Sequence, residues 1–337
     1  MRNDTRKQFN AYLEHLATLN GVDSTKEQFA VDPTIQQRLE AKVQESSTFL
    51  GRINIMGVDE MSGAKLGLGV GGPVSSRTNT ATNDRLTTDP TALDETKYQC
   101  YQTNFDTHLT YAKLDAWAKF PNFQTMIRDA LLQRQALDRI MIGFNGTSAA
   151  ASTNIVANPL LQDVNFGWLQ RYRVDKPASV VTGGAVAGSI RVGSAAGADY
   201  ATLDALVYDM VSNIIEPWFR EDPGLVVVVG RDMMADKYFP LLNATQPATE
   251  QIAADLIVSQ KRIGGLQGVQ VPFVPAGKTL ITTLDNLSIY YQNGKRRRTI
   301  VDNAKRDRIE NYESSNDAYV VEDYGRGVLV ENITFSW

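Results

Sequence analysis

Residues 121–146 read PNFQTMIRDALLQRQALDRIMIGFNG. Phe123, Ile127, Leu131, Leu137, Met141 and Phe144 fall close to one face of a 3.6-residue period, while Arg128, Asp129, Gln133, Arg134 and Asp138 cover the other. Pro121-Asn122 opens the run and Asn145-Gly146 ends it. The spacing therefore predicts one long helix, 121–144, crossing the surface of a domain. The stretch ahead of it is of another kind. From Gly71 to Thr96 the chain is almost entirely Gly, Ser, Thr, Asn, Asp and Pro, with no period of either sort. Such a segment cannot bury a core, and a long loop without structure of its own inside a compact domain is usually functional or disordered. It is expected to point outward and to order against a partner's surface.

Working outward, Phe9, Tyr12, Leu13, Leu16 and Leu19 recur at helical spacing and stop at Asn20-Gly21. After a polar linker at 22–28, Asp32-Pro33 offers an N-cap with Pro at N1. A second stripe of Ile35, Leu39, Val43 and Phe49 follows. Strand-like stretches at 52–58 and 65–70 flank the entry to the polar loop, and 98–111 alternates well enough for a strand. Beyond the long helix, 145–198 is rich in small residues, with Gly183 and Gly184 near its centre. An α/β pattern begins at Leu203: a helix ended by Pro217, a buried strand at 225–229, a helix at 232–242, then strands at 269–274, 280–283 and 287–291. Asn293-Gly294 suits a type I′ turn and predicts a hairpin joining 288–291 to 298–301. Short strands continue to the C-terminus.

The 337 residues, 43% of them hydrophobic, describe an ordinary globular chain, and the net charge of -4 argues against a tight nucleic-acid binder. A lone cysteine, Cys100, allows no intrachain disulfide, and with only His15 and His108 beside it a structural zinc site has too few ligands. No secretory signal and no membrane-length apolar run occur, which points to synthesis in a reducing cytoplasm and to no membrane partner.

The motifs that tempt a catalytic reading fail on context. Gly67, Gly69 and Gly72 satisfy G-x-G-x-x-G, but a dinucleotide site needs a helix to start at the loop, and Pro73 with a Ser/Thr/Asn run follows instead. Lys295, Arg296, Arg297 and Arg298 form a basic run that reads as a solvated hairpin tip or as a contact to phosphate or an acidic neighbour. Neither histidine sits in a recognisable triad, and adjacent acids such as Glu322-Asp323 point to opposite faces of a strand. No constellation supports a reaction, and no cofactor is expected.

Several longer words, in order along nearly the whole chain, resemble the major capsid proteins of P-two-like contractile-tailed bacteriophages. They are Gln44-Glu45-Ser46-Ser47 with Arg52-Ile53-Asn54-Ile55, Asn158-Pro159-Leu160-Leu161-Gln162-Asp163-Val164 with Gly167-Trp168-Leu169-Gln170, and Glu216-Pro217-Trp218 running into Glu221-Asp222-Pro223. Ala235-Asp236-Lys237-Tyr238-Phe239-Pro240, Ser259-Gln260-Lys261-Arg262-Ile263-Gly264, Asn286-Leu287-Ser288-Ile289-Tyr290-Tyr291 and Glu310-Asn311-Tyr312-Glu313-Ser314 complete them.

The resemblance implies an α+β Hong Kong 97-type (HK-97) capsid fold. Its parts would be an N-terminal arm at 1–51, an E-loop with flanking strands at 52–97, a peripheral domain at 98–150 and 285–325 with spine helix 121–144, and an axial domain at 151–284 and 326–337. It also implies self-assembly as hexamers and pentamers into an icosahedral head around double-stranded DNA. The partners would be scaffold, maturation protease, portal and decoration proteins, and the DNA would be touched weakly and without sequence preference. Removal of residues 1–31 by a maturation protease is expected near Phe29, Ala30 and Val31, a stretch read as exposed. Gly71, Gly72, Pro73, Arg77 and Arg85 are the E-loop candidates for contact between subunits. Some relatives weld subunits through an E-loop lysine. No Lys lies between Leu66 and Thr96 here, so a non-covalent shell is expected. Two rival readings are an encapsulin-like compartment, which the quoted words do not favour, and an α/β nucleotide-binding enzyme using the glycine-rich loop.

Overall fold

The computed structural model describes residues 1–65, 69–70, 75–87, 91–92, 97–117, 123–235, 237 and 261–336. Its helices are α1 (Asn3–Asn20), α2 (Pro33–Glu45), α3 (Tyr111–Trp117), α4 (Phe123–Asn145, the predicted long helix), α5 (Trp168–Asp175) and α6 (Leu203–Asn213). The anticipated stop of α1 is a Schellman turn. Gly21 sits at φ 64°, with Gly21 N–H donating to Thr18 O and Val22 N–H to Ala17 O. Asp32 caps α2 by accepting from Thr34 N–H at 2.8 Å, with Pro33 at the first helical position.

Two sheets carry the architecture. The first is organised around the long strand Arg308–Val321. At Asp317 its two neighbours are Tyr291 and Tyr101, and at Ser314 they are Arg297 and Asn104. Since Tyr101–Asn104 is one strand, Leu287–Gln292 and Arg297–Asn303 must lie end to end along the opposite side. This corrects the predicted hairpin. Only Gly294 has positive φ, 67°, whereas a type I′ turn needs it at Asn293 as well. Asn293 is instead held by Val58 O and Asp59, and Gly294 N–H by Gln36 Oε1, so 293–296 is an excursion between two strands on the same side of Arg308–Val321. The true hairpin turns at Ala304–Arg306, with Asp307 in the left-handed region at φ 49°. The predicted strand 98–111 is broken into Lys97–Gln99, Tyr101–Asn104 and Thr107–Thr110.

The second sheet runs in the order Arg262–Ile263, Leu266–Gln270, Leu225–Val229, Thr279–Thr283, Val328–Val330, Val180–Val181. Leu225–Val229 is apolar throughout, and its two-residue period sorts it. Val226 and Val228 face a core shared with α4, α5 and the first sheet, and Leu225, Val227 and Val229 face α6. Trp168 fastens α5 to the first sheet and α4, its Nε1–H donating to Ser288 O at 3.0 Å while its ring lies against Phe49, Phe144 and Tyr319. Gly143 is required there, because a Cβ would meet the Trp168 ring at 2.2 Å.

Among the described residues between Val58 and Cys100, two short antiparallel pairs make a ribbon. Ser62–Ala64 pairs with Lys97–Gln99, and Gly69–Val70 with Thr91–Ala92. Tyr98 seats the base of the ribbon by an edge-on ring contact with Tyr290 at 5.1 Å.

Candidate assembly surfaces

Of the candidate contact residues of the polar loop, Arg77 and Arg85 are exposed. Gly71, Gly72 and Pro73, together with Gly67 of the glycine-rich motif, lie outside the described residues. Gly69, the middle glycine of that motif, opens the strand Gly69–Val70.

The arm lies against the first sheet and is held in two ways. α1 buries Phe9 against Leu114, Ile300 and Ile309. Its polar ties are at the surface: Arg6 to Asp302 at 2.7 Å and Arg2 N–H to Asp115 at 2.8 Å. A cavity of about 290 Å³ lies in this seam, walled by Phe9 and Leu16 of α1, Ile35 and Leu39 of α2, Leu131 of α4 and Ile300 of the sheet. Both histidines, His15 and His108, fall on its lining. Their sequence settings gave no hint that they share a site.

α2 is held by a buried ionic cluster. Arg139 of α4 pairs with Glu40, and with Asp317 at 3.2 Å. Arg296 pairs with Glu40 and Glu313 and donates to Gln135 Oε1 at 2.9 Å. Gln36 adds hydrogen bonds to Gln292 O and Gly294 N–H. Burial by itself would raise the Glu40 carboxyl, but the Arg139 and Arg296 guanidiniums outweigh it and hold it below the usual range. Glu313 behaves likewise, with Arg296 and Arg298 opposing its burial. Asp317 goes the other way: burial dominates and the nearby Glu40 charge adds to it, so its carboxyl is raised despite Arg139.

The basic run is therefore not a uniform solvated tip. Lys295 and Arg297 are exposed and Arg298 is half-buried, but Arg296 is fully buried, carried inward by the 293–296 excursion. The acidic neighbours of the alternative reading exist for Arg296, and they belong to its own chain.

Phe29, Ala30 and Val31 also differ from expectation. Phe29 and Val31 are buried and only Ala30 is exposed. Phe29–Ala30 is a two-residue strand paired with Arg298 and Arg297. The apolar–small–apolar alternation is a strand signal too short to register. The longest exposed run of the connection is Lys26, Glu27 and Gln28, and Asp23 and Ser24 are exposed ahead of it.

Sequence reasoning missed Glu40, Arg139, Glu313 and Asp317. A signal was present in the helices: Gln36 and Glu40 share the i, i+4, i+7 stripe with buried Val43, and Arg139 follows Leu132 and Ala136 on the buried side of α4. Polar residues on a buried stripe call for partners. Among the described residues no group of His, Cys, Asp and Glu could hold a metal ion, and no helix is long and apolar enough to cross a membrane. Cys100 is buried, and burial together with Asp317 pushes its thiol up to about 12, which leaves it protonated at neutral pH.

The comparisons with known proteins identify the family. The model of the phage major capsid protein, P2 family, matches residues 8–333. The chain is 52% identical to the capsid protein of Escherichia phage P2, over 99% of this chain and 95% of that one. It is 41% identical to the major capsid protein of Serratia phage KSP20, over 100% and 98%. Among solved structures, a chain of the satellite phage P4 procapsid aligns over 100% of this chain and 99% of its own, with 49% identity and a TM-score of 0.84. The capsid of an empty GTA particle, 15% identical with a TM-score of 0.53 over 86% of this chain and 90% of that one, shares the fold. The architecture is the HK-97-type α+β capsid fold, and the chain belongs to the P2 family of phage major capsid proteins.

Proposed function

We propose that the chain assembles as hexamers and pentamers into the icosahedral head that encloses double-stranded phage DNA, and that it performs no reaction of its own. The observation that carries this reading is the full-length likeness to a procapsid subunit at a TM-score of 0.84. In this reading 1–51 is the arm, 52–97 the E-loop, 98–150 with 285–325 the peripheral domain, and 151–284 with 326–337 the axial domain gathered around each capsomer centre. Many modest contacts, each reversible, let a growing shell correct errors before it closes. An acidic balance, net -4, suits a container whose DNA must slide. Scaffold, portal and decoration proteins are the proposed partners.

Residues 1–31 are the proposed maturation fragment, cut near Phe29, Ala30 and Val31. The structure adds a requirement: the protease must peel a two-residue strand from the sheet edge. Local opening of so short an edge is within reach of ordinary fluctuations.

Electron microscopy and size-exclusion chromatography of the chain, expressed alone and with the scaffold and protease genes of its phage, test the assembly. Closed particles or capsomers are expected, and a monomer or dimer under every condition overturns the reading. N-terminal sequencing of mature particles should find a start near residue 32, and an intact Met1 would refute the cut. Boiled, reduced particles should run as single subunits, since the E-loop offers no lysine between Leu66 and Thr96. A ladder would show a covalent weld.

A further inference from the structure

Between α4 and α5 the chain makes an excursion whose ends meet, Thr147 bridging to Phe166. From position 146 to 162 it contains no charged residue, in a chain of which 21% is charged. It is nevertheless a fixed structure. The buried Asp163 accepts Asn154 N–H at 2.7 Å on its side chain and Ala150 N–H at 2.9 Å on its carbonyl. Asn154 Oδ1 accepts Val156 N–H at 3.0 Å and Ala157 N–H at 3.2 Å. Gln162 Oε1 accepts Leu160 N–H, and its carbonyl accepts Thr147 N–H and Ser148 N–H. Leu161 is held at φ 58°, a conformation L-residues avoid, because its side chain and that of Val164 pack on the core around Trp168.

What this scaffold holds up is apolar. Ile155 is 67% exposed and Val156 89% exposed, at the tip of a stretch, 151–157, that is exposed throughout. A solvated turn has no need of this bracing. A preordered, uncharged, apolar tip matches the centre of a protein–protein contact, which is depleted of charge and gains from rigidity. Phosphate or a lipid headgroup would find no cation on this loop, and both DNA and anionic membranes are held by Lys and Arg.

We propose that the Ile155-Val156 tip is a contact between copies of this chain, seated on an apolar face of the neighbouring subunit. This rests on the shell reading above. The loop leaves the C-terminal end of α4, while the apolar seam of the arm lies along its N-terminal half, at Arg128, Leu131 and Leu132. An α-helix advances about 1.5 Å per residue, so the two surfaces are separated along a rigid element of tens of ångströms. One chain presents different surfaces at its two ends, and contacts between unlike surfaces of identical chains are head-to-tail, the kind that closes rings.

The test is co-expression of the wild-type chain, Ile155→Asp and Val156→Asp with the scaffold and protease genes of its phage. Both side chains are in solvent in the free subunit, so the variants should melt with the wild type. A charge buried at the contact should cut the yield of closed particles by about tenfold or more. A benzophenone amino acid at position 156 of the otherwise unaltered chain should give, in wild-type-like particles, adducts of twice the subunit mass that join 156 to a peptide of the same chain. Particles at wild-type yield from both variants, or adducts only with another protein, overturn the inference. A wild-type chain that forms no particles fails the shell reading first, and this inference with it.

Discussion

α1 and α2 are successive helices of one arm, both laid along the first sheet, and they are attached by opposite means. α1 is held by apolar contact around Phe9 and by ion pairs in solvent, over a seam that retains a cavity of about 290 Å³. α2 contributes Glu40 to a cluster from which water is excluded, where two arginines and three carboxylates join α2, α4, the 293–296 excursion and the long strand. Apolar docking over an imperfect seam can be undone piece by piece, because each exposed group regains water as it leaves. Withdrawing Glu40 takes one of two carboxylate partners from each of two buried guanidiniums at once. The boundary between the two modes falls at 21–31, so the arm divides physically into a part docked by apolar contact and a part locked by buried charge.

The largest expected effect follows from breaking the lock. Glu40→Ala leaves Arg139 and Arg296 buried with only Asp317 and Glu313 as counterions, and loss of one partner in such a cluster costs about 3–5 kcal/mol. Urea unfolding of the unassembled subunit should show it, and a loss under about 1 kcal/mol, the range of a surface pair, would erase the contrast with α1. Acid should act in the same direction. Glu40 and Glu313 have depressed folded values, so their contribution is complete above the unfolded glutamate value of about 4.3 and is lost as pH falls through the folded ones.

Asp317 sharpens the same comparison from inside. With its carboxyl raised, its ionisation weighs against the folded state as pH climbs from the unfolded aspartate value of about 3.9 through the folded one. Asp317→Asn removes the surplus negative charge while leaving Glu40 to pair Arg139. It should therefore cost much less than Glu40→Ala near neutral pH and abolish that part of the pH dependence. Melting temperatures from pH 4 to 8 check this. Equal losses for the two variants would mean that the cluster needs every member alike.

Phe9→Ala should act locally. Hydrogen exchange in α1 should rise to that of a frayed segment while exchange in α2 and α4 stays slow. If the main unfolding transition instead moved as far as it does in Glu40→Ala, α1 would be part of the cooperative core and the arm would not divide.

The sequence shows half of this contrast plainly. The apolar stripe of α1, its glycine stop, the Asp32-Pro33 start of α2 and the amphipathic α4 are local signals, and local chemistry decides them. The apolar pattern locates the strand at 287–291, but the tail that reads as short strands begins with one strand of 14 residues, Arg308–Val321. Neither signal reveals that Glu313 pairs with Arg296. Pairing of buried charges depends on elements that are remote in sequence, and Glu40 and Arg139 are 99 positions apart. The misread turn has a similar cause. Asn293-Gly294 has the composition of a hairpin, but contacts to Val58, Asp59 and Gln36 decide its conformation, and none of these is local. Phe29 and Val31 were read as exposed because a two-residue strand has no period to detect.

The smallest expected effect is at the polar ties of α1. Arg6 reaches Asp302 at 2.7 Å, and Tyr111 donates to the same carboxylate. Burial would raise Asp302, but the hydrogen bonds from Tyr111 and Arg6 prevail and hold it below the usual range. Its contribution is thus present above the unfolded aspartate value and lost as pH falls through the folded one. Arg6 is 43% exposed, so water and salt screen the pair, and Arg6→Ala should change stability by less than about 1 kcal/mol. The informative readout is the exchange rate of α1 with rising salt. Wild type should drift toward the rate of Arg6→Ala, and the variant should hardly respond. A salt-insensitive wild type would mean that the apolar seam alone holds α1, which would move the boundary between its two kinds of attachment without abolishing the difference from α2.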